Sequence, residues 1–295
     1  MKAWLPLLHL SLPTTPSNNL SNDLSNDLSN NLVTTGFNVL KIRSAFFAIG
    51  YNLSSALVGL IAVIIWPIFP YAWRWRIVTC WNRFVMFWLR VCCGVRFEIV
   101  GNKHAHKFPC VVMSKHQSTW ETMFLQYYFG PVSTILKKEL FHIPFFGWGL
   151  ASLRPIAIDR SSPVQALKEI KKIGLRRLEQ GNNLLIFPEG TRTPVGQVGN
   201  YARSGADIAI SAGVPVIAVA HNAGECWPHK QFVKHPGTIC VVISEPFETE
   251  GKDRKQLTED VKQWIESEIA KMPPARKDGI RITGSVEKSA EAPVE

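Results

Sequence analysis

Charge is missing from one long stretch of this 295-residue chain: residues 44–73 contain no Asp, Glu, Lys or Arg. Its apolar parts, Ala45–Gly50 and Leu57–Trp66, are together long enough to cross a bilayer, which excludes an ordinary solvated surface segment. Paired metal-type cysteines are also missing. The six cysteines stand at 80, 92, 93, 110, 226 and 240, never as Cys-x2-Cys, and adjacent Cys92 and Cys93 make a poor disulfide framework. They read as reduced, mostly buried thiols of a cytoplasmic compartment. No Gly-x-Ser-x-Gly elbow occurs, so Ser118 is not read as a covalent nucleophile. Acid is scarce: 23 Asp+Glu face 33 Lys+Arg, a net charge of +10. That balance suits anionic partners. The absence of a recognised nucleic-acid motif leaves anionic lipids and other acidic ligands, and no nucleic acid.

What is present divides the chain. Residues 1–40 carry a four-residue repeat, Ser17-Asn-Asn-Leu-Ser-Asn-Asp-Leu and onward to Leu32. Ser, Asn and Asp are poor interior helix formers, so 1–40 is expected to be a disordered low-complexity extension. It has too little apolar continuity for a secretory signal. Residues 41–94 are expected to form a membrane-associated helical hairpin. Pro67 and Pro70 break the apolar run, and a second helix covers Tyr71 to Cys93. There Arg76, Arg83 and Arg90 recur every seven residues beside Trp73, Trp75, Trp81 and Trp88, the pattern of a helix lying among lipid headgroups. The first helix fits either a full span or in-plane docking.

From residue 95 strand-like and helix-like segments alternate. Strands are predicted at Arg96–Val100, Pro109–Ser114, Ser133–Lys137, Pro155–Ile158, Asn183–Phe187, Val214–Ala220 and Thr238–Ile243. Helices are predicted at Thr119–Phe129, Val164–Gln180, Ser204–Ala212 and Leu257–Lys271, the second burying Leu167, Ile170, Gly174 and Leu178. The expectation is an α/β domain over 95–274 with a mixed, largely parallel sheet flanked by helices. Residues 275–295 are read as a disordered tail.

Two segments carry chemistry. His116-Gln-Ser-Thr-Trp-Glu121 follows a strand. On one continuous helix its ends would point about 140° apart, so the pair meets only if a helix starts between them. Ser118 or Thr119 can cap such a helix. His116 then acts as a general base, with Glu121 fixing its tautomer. Phe187-Pro-Glu-Gly-Thr-Arg-Thr193 ends another strand. Gly190 allows close backbone approach, and Arg192 can grip a phosphate with two donors. Glu189 belongs to that site or to a structural ion pair. Together the segments point to an enzyme that deprotonates a hydroxyl of a phosphorylated substrate.

In order along the chain, Lys115–Glu121, Pro155–Arg160, Phe187–Arg192 and Val214–Val219 resemble the four conserved blocks of the 1-acyl-sn-glycerol-3-phosphate acyltransferases. Lys137-Lys-Glu-Leu140, with Pro144 and Gly147, resembles a basic element between the first two blocks. The resemblance covers about residues 45–250. It implies catalysis by His116 and Glu121, the latter standing where the family usually has Asp. It implies substrate binding by Lys137, Arg160, Glu189, Gly190, Thr191 and Arg192. The implied reaction moves an acyl group from acyl-CoA or acyl carrier protein to lysophosphatidic acid, with no cofactor and no metal. The implied setting is the inner membrane, with the site facing the cytoplasm. Two other readings are an acyltransferase for another lysolipid, such as a lyso-ornithine lipid, and a non-catalytic membrane-binding protein on the same fold.

Overall fold

Buried parallel strands are apolar on both faces and so appear in sequence as continuous rather than alternating runs. Val111–Ser114 (β2), Asn183–Ile186 (β5) and Val216–His221 (β6) are such strands, with every residue buried. They form the middle of a seven-stranded sheet completed by Val95–Gly101 (β1), Val132–Lys137 (β3), Ile156–Ile158 (β4) and Gly237–Ile243 (β7). The strand order is β1-β7-β6-β2-β5-β3-β4. Every pairing is parallel except β6 with β7. The sheet is therefore mixed and largely parallel, as expected. This computed structural model describes residues 17–101, 109–159 and 162–278.

The period-two pleat sends neighbouring side chains into two separate cores. Val112, Leu185 and Ile217 face one, where Tyr71–Cys93 (α2) and Trp120–Tyr128 (α3) contribute Val85, Leu89, Phe124 and Leu125. Val111, Met113, Leu184 and Val216 face the other, covered by Pro163–Glu179 (α5), Ser204–Ala212 (α6) and Arg254–Lys271 (α8) through Ile170, Ile208, Leu257 and Val261. On α5 the buried face runs through Ala166, Ile170, Gly174 and Leu178. Leu167, expected on that face, is 52% exposed, because it lies one position off the stripe. Phe146–Ser152 (α4) and Ala223–Cys226 (α7) complete the helices among the described residues. A 3-10 turn at Lys138–His142 links β3 to α4.

The first helix, α1, covers Ser17–Ile65. The chain resolves into two units, Met1–Leu40 and Lys41–Glu295. Over Ser17–Leu40 the expectation of disorder is replaced by helix. Extending a helix needs no new nucleus, and the low propensity of Ser, Asn and Asp costs only a few tenths of a kcal/mol per residue. Residues 1–16 lie outside the described residues. The stretch Thr35–Ile65 is long and apolar enough to cross a membrane. Its Phe46, Ile49, Leu53, Leu57 and Leu60 are exposed, whereas Phe47 and Ala62 are buried.

Helix α2 buries Val78, Trp81, Val85, Met86 and Leu89 at helical spacing. Arg76, Arg83 and Arg90 lie exposed on its other side, beside exposed Trp73, Phe84 and Phe87. Gly94, at φ +69°, ends α2 in the left-handed conformation and donates to the Arg90 carbonyl at 3.0 Å. At the other end, the expected start of a tail at 275 is too early. Ala275 is buried, donates to Glu225 Oε2 at 2.7 Å, and accepts from the Thr238 amide at 2.8 Å. These bonds hold residues 275–278 to β7. Residues 279–295 lie outside the described residues.

Candidate active site

The turn between β2 and α3 creates the central geometry. Lys115 extends the sheet pairing by one bond, its amide donating to the Val219 carbonyl at 3.1 Å. The chain then turns, and α3 starts at Trp120. His116 therefore precedes the helix and Glu121 sits in its first turn, as the spacing requires. Glu121 Oε1 lies 2.9 Å from His116 Nδ1 and accepts from the Gln117 and Ser118 amides at 3.0 and 2.8 Å. A carboxylate there fixes the proton on Nδ1 and leaves the Nε2 lone pair open as a base. Glu121 is fully buried. Burial would raise its pKa; the hydrogen bond from His116, the neighbouring His221 and His116 rings, and the Ser118 amide together hold it below the ordinary value. Its Oε2 is buried with no hydrogen-bond partner among the described residues. The His116 ring stacks on Phe187, with centroids 4.1 Å apart.

His221 supports this turn from behind. Its Nε2 donates to the Lys115 carbonyl at 2.9 Å, and its Nδ1 accepts from the Ala223 amide at 3.3 Å. Both bonds require a neutral ring, and burial pushes its pKa down. From sequence it is one of several scattered histidines.

The Phe187–Thr193 turn is stapled to His116. Thr193 donates to the His116 carbonyl from its amide at 2.8 Å, and its Oγ1 lies 3.2 Å from the same oxygen. Glu189 Oε2 accepts from the His116 amide at 2.9 Å. Glu189 Oε1 accepts from Lys115 Nζ at 2.8 Å, Thr193 Oγ1 at 2.9 Å and the Gly199 amide at 3.1 Å. Both oxygens are thus committed inside the protein, with the side chain 0% exposed. Glu189, expected in substrate binding, thus has its carboxylate turned into the protein and bonded to the His116 turn. Lys115, also absent from the expected site, is buried between Glu189 and Glu266 of α8, the latter at 2.9 Å. Tyr201 donates to the same Glu266 oxygen at 2.9 Å. One buried acid, Glu189, and one half-buried acid, Glu266, thus balance one buried cation.

Around His116 opens a cavity of about 410 Å³. Its polar groups include Lys137 at the end of β3, Gly190, Thr191, Arg192 and His229. Its apolar wall includes Met123, Phe146, Leu150 and Phe187, with Tyr51 of α1 and Trp81 of α2. Arg192 Nη1 lies 3.2 Å from His229 Nδ1. Gly190 holds φ +68° in the turn, a conformation that favours glycine. Arg160 lies outside the described residues. A larger hollow of about 810 Å³, lined mainly by α5 and α6, contains no imidazole, and its one carboxylate, Asp207, is paired with Lys171 at 2.8 Å. Chemistry rather than size selects the first cavity. It can hold an anion at one end, an apolar chain along its wall, and a hydroxyl at His116 Nε2.

Comparison with known proteins agrees. Residues 96–222 match the Acyltransferase family model. A 1-acyl-sn-glycerol-3-phosphate acyltransferase of Pseudomonas aeruginosa is 44% identical over 243 residues, spanning 81% of this chain and 95% of the relative. The enzyme of the same description from Limnanthes alba is 26% identical over 74% of this chain and 78% of its own length. The crystal structure of the 1-acyl-sn-glycerophosphate acyltransferase of Thermotoga maritima superposes with a TM-score of 0.66 at 22% identity, covering 78% of this chain and 94% of that one, which establishes the shared fold. The His–Glu pair, the blocks stapled around it and the 44% identity over most of both chains place this chain in the 1-acyl-sn-glycerol-3-phosphate acyltransferase family.

Proposed function

We propose that this enzyme transfers an acyl group from a thioester to the sn-2 hydroxyl of 1-acyl-sn-glycerol-3-phosphate, giving phosphatidic acid for phospholipid synthesis. The observation that carries the reading is the His116–Glu121 pair opening into the same cavity as Arg192 and Lys137. His116 Nε2 takes the hydroxyl proton as the oxygen attacks the thioester carbonyl. Glu121, held ionised, stabilises the imidazolium that forms. Collapse of the tetrahedral intermediate breaks the C–S bond, and His116 returns the proton to the departing thiolate. Arg192 and Lys137 bind the phosphate, Arg192 through its fork of donors. The turn at Gly190 and Thr191 brings backbone close to the same anion.

The donor is acyl-CoA or acyl carrier protein, and the chemistry calls for no cofactor. Exposed apolar residues of α1 enter lipid, and Arg76, Arg83 and Arg90 meet anionic headgroups. The site then faces the cytoplasm from the inner membrane. The test is a matrix of acceptors against donors with purified protein: lysophosphatidic acid, a phosphate-free lysolipid and a lyso-ornithine lipid, each with CoA and carrier-protein thioesters. Turnover confined to lysophosphatidic acid supports the reading. Preference for a phosphate-free acceptor overturns it, and absence of any thioester turnover leaves only membrane binding.

A further inference from the structure

We propose that His229 is a direct ligand of the substrate phosphate, donating from Nε2 while its Nδ1 holds Arg192 in place. The proposal rests on the lysophosphatidic acid reading above and adds a residue that lies outside all four sequence blocks. His229 lines the same cavity as His116, Lys137 and Arg192. Its Nδ1 lies 3.2 Å from Arg192 Nη1. A guanidinium only donates, so Nδ1 must accept. The ring is then neutral and its one N–H is on Nε2, on the far side of the ring from Arg192. Burial, followed by the positive influence of Arg192, Lys230 and His116, lowers the pKa of this ring and favours the same form. Nε2 makes no hydrogen bond among the described residues. A phosphate gripped by Arg192 would supply an acceptor for that N–H.

The loop carrying His229 is braced, as a binding element must be. Residues 227–236 leave α7 and return to β7. The His235 amide donates to the Cys226 carbonyl at 2.8 Å, and the Lys234 amide donates to Ser44 Oγ on α1 at 2.9 Å. Lys234 Nζ donates back to the Phe232 carbonyl at 2.7 Å and sits 5.2 Å over the Trp227 ring. Trp227 in turn packs edge-on against Phe47 of α1, with centroids 5.1 Å apart. Lys230, next to His229, is held at φ +62°, a conformation that L residues other than Gly, Asn and Asp rarely adopt. These contacts fix where His229 projects.

Asn and Gln separate a ligand from a mere support for Arg192. The Asn amide ends where Nδ1 stands, so His229→Asn keeps a partner for Arg192 and loses the outward donor. The Gln amide reaches the position of Nε2, so His229→Gln keeps the outward donor and loses the Arg192 contact. The full chain in anionic vesicles is assayed with lysophosphatidic acid and acyl-CoA, with the KM of each substrate measured separately. Binding of inorganic phosphate is read in parallel by calorimetry. His229→Asn is expected to raise the acceptor KM and the phosphate Kd about 10-fold, the factor of one charge-assisted hydrogen bond, with kcat and donor KM little changed. His229→Gln is expected to stay within about threefold of wild type on the same scale. Any other order overturns the proposal: a larger loss in Gln than in Asn makes His229 only a support for Arg192, and equal or absent losses remove the Nε2 contact. Failure of the acceptor reading is seen separately, as wild-type inactivity on lysophosphatidic acid, and the phosphate arm still decides the role of His229.

Discussion

Replacing Glu189 by Gln separates two roles for the Phe187–Thr193 turn. The change keeps shape and removes one negative charge. Four donors converge on the carboxylate: Lys115 Nζ, Thr193 Oγ1 and the Gly199 amide on Oε1, and the His116 amide on Oε2. An amide side chain presents one oxygen and one NH2, so in either orientation it sets a donor against a donor. One buried group left unsatisfied costs about 1–3 kcal/mol. Lys115 also loses one of its two acids. Breaking a buried pair costs about 3–5 kcal/mol, but Glu266 remains at 2.9 Å, so the lower end applies. A total near 4 kcal/mol corresponds to a fall in Tm of about 8–16 °C for a domain of this size. kcat should fall as well, because the His116 amide is one of the four donors, whereas the KM for lysophosphatidic acid should move little. The assay pairs thermal unfolding with steady-state kinetics. Adding Lys115→Met to Glu189→Gln should recover part of the lost stability, since both charges then leave together. A variant that melts with wild type yet shows a raised acceptor KM would refute the bracing role and restore Glu189 to the substrate.

Other expectations follow from the same geometry. His116→Ala should lower kcat by at least about 10²-fold with circular dichroism unchanged; near-normal turnover removes the base. Glu121→Gln should cost about 10²–10⁴-fold in rate, while Glu121→Asp, the usual family residue, should retain substantial activity. The Glu121 carboxyl sits below its ordinary 4.5 in the fold, so its stabilisation is present at neutral pH and drains as pH falls below that value. The Tm gap between wild type and Glu121→Gln should therefore narrow in acid, and a gap that widens contradicts the assignment. Arg192→Lys keeps the charge but loses the fork, and should raise the acceptor KM with the donor KM nearly constant. Converting Arg76, Arg83 and Arg90 to Gln should weaken sedimentation with anionic vesicles at low salt, each contributing about 1 kcal/mol. Undiminished sedimentation would assign attachment to the apolar face of α1.

The central strands were legible because buried parallel strands leave apolar runs bounded by Pro, Gly and Asn, as at Asn183–Ile186. The 3-10 turn at Lys138–His142, α4 and α7 were not, since elements of four to seven residues hold too few turns to display a period. The His116–Glu121 pair was legible because its five-residue spacing forces a helix start between the two. The contacts of Glu189 were not legible because its partner Lys115 lies 74 positions away and the second acid, Glu266, 151 positions from Lys115. No local pattern records such contacts.

One clue to Lys115 nevertheless stood in the sequence. Along β2, Val111 and Met113 face the core covered by α5, α6 and α8, and Val112 faces the α2–α3 side. Lys115 still pairs with β6 through its amide, so the alternation carries one residue beyond the strand's assigned end. Odd positions continue toward α8, which sends Lys115 to Glu266, the acid that Tyr201 also meets. Even positions continue to the other face, where His116 meets the cavity under α2 and α3. A lysine at an odd position of a buried strand must find acid on that side, because an unpaired buried ammonium is prohibitively costly. Glu189 is the acid that arrives beside it as β5 ends. The pleat that turns His116 into the cavity thus also sends Lys115 into an ion cluster directly behind it.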